Sequence, residues 1–75
     1  MISGEIEIHP DVCNGRPVLR GTRIAVQSVL EMLAAGDSAE EVLEAFPTLR
    51  REQVLACLDY AARLMGNRYS LQSAE

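Results

Sequence analysis

The chain of 75 residues has no lysine and no tryptophan, one histidine, two cysteines and three aromatic side chains. Each scarcity removes a class of function. A single histidine, His9, and cysteines 44 positions apart leave no set of ligands at zinc spacing. One histidine without an accompanying nucleophile gives no catalytic triad. Gly15 and Gly21 are not followed by the Gly-Lys-Ser/Thr end of a phosphate loop. No apolar run reaches the length of a membrane span, and nothing resembles a signal peptide, so the expected compartment is the cytoplasm. No catalytic residue, cofactor site or metal site is expected, and the chain reads as a non-enzyme.

Charge is also missing in one place. The formal net charge is −4, yet no acid lies between Asp11 and Glu31, where "CNGRPVLRGTRIAV" carries Arg16, Arg20 and Arg23. The remaining residues hold four arginines against eleven acids. Arginine without lysine suits planar, bidentate contacts with carboxylate, phosphate or backbone carbonyl, although a GC-rich genome produces the same bias. An acidic total argues against broad, non-specific nucleic-acid binding, so any such contact is local. The length allows one domain, which buries only about 60–65% of its unfolded surface. A partner chain would complete so small a core.

The pattern that is present is mainly helical. "EIEIH" (5–9) alternates acid and apolar residues, placing Ile6 and Ile8 on one face of a half-buried strand. Asn14-Gly15 is a turn signal, "PVL" (17–19) a short second strand, and Pro10 and Pro17 confine this ribbon, residues 5–20, to a short or edge pairing. Val26, Val29, Leu30 and Leu33 then follow helical spacing over about 26–35, with Gly36 as the C′ residue. Ser38 and Glu41 have capping-box spacing ahead of a second helix, 39–46, which Pro47 ends. A third runs over about 51–65, with Gly66 after it. Val54, Cys57, Leu58, Ala61 and Met65 form its stripe, widened by Leu55, Ala62 and Leu64. Leu49 can staple onto Val54 across the start of that helix, where Arg50 is a poor cap. Residues 1–66 form one domain and 67–75 a polar tail. Cys57 reads as a small core residue, and Cys13, next to a turn, as the more exposed thiol. Helices 39–46 and 51–65, joined by a turn, have the outline of a helix-turn-helix.

A helix-turn-helix would read base edges with the first exposed side chains of its last helix. Arg50, Arg51, Gln53 and Arg63 are the candidates for DNA contact, opposed by Glu52 and Asp59. Arg16 and Arg20, near the ribbon turn, and Arg68 and Tyr69, in the tail, are the candidates for a protein partner. Arg23 reads as structural, fixing the ribbon against the helices.

The arginine stretch, followed by "VLEMLAAGDSAEEVLEAFPTLRREQVLACLDYA", resembles the bacterial domain-of-unknown-function family 433. The shared features are a G-x-P-x-x-x-G-T-R-I run, a helix ending A-A-G, S-x-E-E, an aromatic residue with proline, and a final helix. They cover about residues 5–62. The resemblance implies a homeodomain-like three-helix fold behind a β ribbon. It also implies the antitoxin half of a toxin–antitoxin pair, whose partner is a PIN-like nuclease. Such nucleases hold a metal with clustered acids, and Arg68, or Arg20 and Arg23, could enter that site. Ala25 departs from the family's usual proline, and Arg50 from its usual Ser or Thr cap. Three expectations stand: an antitoxin that could also repress its own operon, a stand-alone regulator binding operator DNA, and a homodimerisation module pairing through the ribbon edge.

Overall fold

The computed structural model describes residues 4–69, with side chains through Gly66. It opens with an antiparallel ribbon of two residues per strand, β1 (Ile6–Glu7) and β2 (Val18–Leu19). The ribbon is shorter than the apolar alternation predicts. β1 ends at Glu7, the alternation has no ladder to follow, and Ile8 is 53% exposed rather than packed beside Ile6. Asn14 and Gly15 do turn the chain, both with positive φ, but Cys13 joins them. The three make a left-handed turn, closed by bonds from Gly15 N to Val12 O and from Arg16 N to Cys13 O.

The "GTR" segment is also turn chemistry. Gly21 sits at φ +76, where a side chain would be strained. The Thr22 hydroxyl donates to Leu19 O at 2.8 Å and accepts from Ile24 N at 3.0 Å. Leu19 N then bonds Ile24 O, and Val26 N bonds Pro17 O, so β2 is tied on its second side to the start of the first helix.

Three helices follow: α1 (Val26–Ala34), α2 (Ala39–Ala45) and α3 (Arg51–Tyr69). A Schellman motif stops α1. Asp37 N reaches Met32 O, Gly36 N reaches Leu33 O, and Gly36 supplies φ +104. One residue later the expected capping box starts α2. Glu41 N donates to the Ser38 hydroxyl at 3.1 Å, and Ser38 N to the Glu41 carboxylate at 2.7 Å. Phe46, one residue short of its predicted helical place, is the C-cap. Its φ of −125 and ψ of 79 take it out of the α region, which a following proline disfavours. Gly66 does not end α3, whose backbone remains helical through Tyr69. Gly66 is absent from the positive-φ residues, so it forms no C-terminal stop.

The core lies where the ribbon and the three helices meet. Leu19, Val29, Val42 and Cys57 are wholly buried, Val26 and Val54 nearly so, and Ile6 and Leu49 close the ribbon and turn sides. Each of the larger side chains contributes about 1.5–3 kcal/mol on burial. Leu49 and Val54 share this cluster, as the hydrophobic staple predicts. The architecture is mainly helical, a three-helix unit with a short N-terminal ribbon.

Candidate partner-binding site

The three arginines of the acid-free stretch have three different situations. Arg16 donates through Nη1 to Gln27 Oε1 at 2.8 Å and through Nε to Cys13 O at 3.3 Å. Gln27 passes the chain of bonds on to Glu31 at 2.9 Å, so Arg16 is oriented along α1 by an amide and not by an acid. Arg20 folds back on the ribbon, to Gly4 O at 3.3 Å and Glu7 at 3.5 Å. Arg23 reverses its expectation. Its carbonyl accepts from the Cys13 thiol at 3.2 Å, but its guanidinium has no hydrogen bond or ion pair among the described residues. The locking groups in this turn are Thr22 and the backbone, which leaves the Arg23 side chain exposed and available.

The start of α3 is also different from its reading as a row of exposed contacts. Gln53 is 4% exposed, and its amide oxygen accepts from Arg50 N at 2.9 Å. It satisfies the N–H of the cap residue itself, the N3 half of a capping box, while arginine offers the first turn no acceptor. It therefore cannot point into a DNA groove without uncapping the helix. Ala56 is buried as well. The three arginine candidates each meet an acid of the same chain. Arg50 bridges Glu5 at 3.2 and 3.4 Å, across 45 positions. Arg51 bonds Glu40 at 3.0 Å and Arg63 bonds Asp59 at 2.8 Å. All are exposed pairs, which solvent screens and which contribute little to stability. The hydrogen bond from Glu40's own backbone N–H, reinforced by Arg51, holds its carboxyl below 4.5. Glu7 is lowered from the same value, first by its hydrogen bond with His9 and then by the charges of His9 and Arg20.

Arg16 leads to a groove of about 310 Å³ between α1 and α3. Pro17, Val26, Leu30, Tyr60, Ala61 and Leu64 form its apolar wall, and Arg16 and Gln27 its polar lip. Val26, Tyr60 and Leu64 come from helix stripes and Arg16 from the ribbon turn, so the site exists only after folding. Sequence spacing alone singled out Arg16 but not the groove. Arg68 and Tyr69 extend α3, and their side chains lie outside the described residues.

Cys57, wholly buried in the core, has its thiol pushed up to about 11 by burial, which keeps it protonated and inert. Both cysteines are free thiols. Among the described residues no three His, Cys, Asp or Glu side chains gather as a metal-binding group, and no helix is long and apolar enough to cross a membrane.

The family model described as a protein of unknown function, DUF433, matches residues 6–61. The chain belongs to the DUF433 family. An uncharacterized protein, y4eO, of Sinorhizobium fredii is 46% identical over 52 residues, 69% of this chain. Those residues are 24% of y4eO, so the chain spans about a quarter of that curated relative. The crystal structure of a DUF433 member protein from Anabaena variabilis is similar over the whole of this chain and 73% of its own, at 28% identity and a TM-score of 0.78. In this DUF433 chain the matched segment takes in the ribbon, the arginine stretch, the groove lining except Leu64, and the first eleven residues of α3, Arg51 to Ala61.

Proposed function

We propose that this chain is the antitoxin half of a type II toxin–antitoxin pair, which binds and silences a PIN-like nuclease. The observation that carries the reading is the α1–α3 groove, apolar along its wall and bordered by an acid-free arginine turn. An apolar anchor from the nuclease fits the groove. Arg23, with no acid among the described residues to neutralise it, is the cation best placed to meet the nuclease's acidic centre. Arg20 is the weaker candidate, since Glu7 already faces it.

Stand-alone operator binding is the less favoured reading. Arg50, Arg51 and Arg63 each have an in-chain acid, so approach to phosphate must break those pairs, and Gln53 serves as a cap. Co-expression with a PIN-like nuclease from the same host tests the proposal. The expected result is co-purification and rescue of growth, both lost in Arg23→Glu/Leu64→Glu. Absence of co-purification and of rescue with the unaltered chain overturns it. If the purified chain alone shifts its promoter DNA, and Arg50→Glu/Arg51→Glu abolishes the shift, the regulator reading replaces it.

A further inference from the structure

An apolar stripe runs along the outside of α3. Leu55 is 57% exposed, Leu58 45% and Met65 54%, and Ala62 lies between them. Their spacing of three, four and three residues is the a/d pattern of a coiled-coil seam, not the scatter of an ordinary solvated face. The stripe points away from the face of Gln53, Val54 and Cys57, which packs against α1 and α2, so nothing in the described fold can cover it.

We propose that a second copy of this chain covers it, through antiparallel pairing of α3 with α3 about a twofold axis. Charge decides both the occupant and the direction. Asp59 and Arg63 lie along one flank of the stripe, bonded to each other at 2.8 Å. Among the described side chains the other flank, at Val54 and Ala61, has no charge. Parallel pairing sets each flank against the opposite one and leaves both charges facing an uncharged side. Antiparallel pairing sets like flank against like flank. It brings Asp59 to the second copy's Arg63 and Arg63 to its Asp59, two pairs in all, with the two Asp59 carboxylates side by side at the axis and an arginine beyond each. The same register places Leu55 against Met65 and Leu58 against Ala62 of the second copy, large side chain against small at the centre. The surface is thus complementary to itself in shape and charge. The ribbon is a poorer candidate, because each strand has two residues and β2 is already bonded on both sides. The α1–α3 groove meets this seam only at Ala61 and shares none of the stripe residues, so the dimer stands whether or not the nuclease reading holds.

Sedimentation equilibrium of the full chain is the test. The unaltered chain is expected to be a dimer at micromolar concentration. Leu58→Glu, at an exposed position, should keep its helical circular dichroism and weaken the dimer about a hundred-fold or more. Asp59→Arg alone and Arg63→Asp alone should each weaken it, and the double exchange should recover it, because the pairs are restored across the axis. A monomeric unaltered chain overturns the proposal. So does a dimer that survives Leu58→Glu, because it must use another surface. If Leu58→Glu loses helicity, the charge exchange decides alone: no weakening by either single reversal overturns the pairing.

Discussion

The two faces of α3 use similar residues for different ends. Val54 and Cys57 look inward and are covered by α1, α2 and the ribbon. Leu55 and Leu58, each one residue further along, look outward and are covered by nothing in the described fold. The inner side chains are smaller than the outer ones, so apolar size alone does not mark the core. What separates the faces is the hardware around them. Gln53 caps the inner side of the helix start, while Asp59 and Arg63 border the outer stripe. One helix therefore has a surface that builds the fold and another that remains for assembly.

The contrast can be strained in several places. Inner positions should dominate stability. Leu19→Ala, at a wholly buried site against the same core, lowers the unfolding free energy by about 2–5 kcal/mol in urea titration. A loss below about 1 kcal/mol means the core is looser than its burial implies. Gln53→Ala removes the acceptor for Arg50 N–H and costs about 0.5–2 kcal/mol, whereas a DNA-reading glutamine could be removed at no cost in stability. Ala25→Pro acts in the opposite direction. Ala25 has φ −71, and its N–H has no hydrogen bond among the described residues, so proline fits and raises stability by about 0.4–1 kcal/mol. Leu55→Ser, on the outer face, changes the stability of dilute monomer by less than about 0.5 kcal/mol. The smallest effect is in acid. Glu7 and Glu40 have lowered folded values, so their stabilisation is fully present above pH 4.5 and fades as pH falls through those values. Replacing both with glutamine should flatten that part of the stability–pH curve, and an unchanged slope rules out their role.

Much of this was legible in the sequence where the signals are local. Ser38 with Glu41, Gly36 after a helical stripe, and Pro47 after Phe46 act within one turn, and each gives the element boundary to within a residue. The faces of α3 were not legible in this way. Leu55, Leu58, Ala62, Leu64 and Met65 widen the apolar arc until periodicity no longer selects one side. Burial is then decided by where α1 and α2 stand, which is a long-range fact. The same holds for Arg50, whose acid is 45 positions away, and for Gln53, whose polar side chain reads as exposed until the cap it makes is visible. The candidate partner site was half legible. The acid-free run isolated Arg16, Arg20 and Arg23, but which of them is bonded depends on Gln27, Glu7 and the turn at Thr22.

Methionine oxidation by peroxide separates the faces of α3 most directly, because Met65 lies on the outer stripe and Met32 packs partly against the core. The two-face reading predicts that Met65 oxidises quickly in dilute solution and slows as chain concentration rises through the dimer range, while Met32 keeps one rate throughout. A Met65 rate independent of concentration contradicts it.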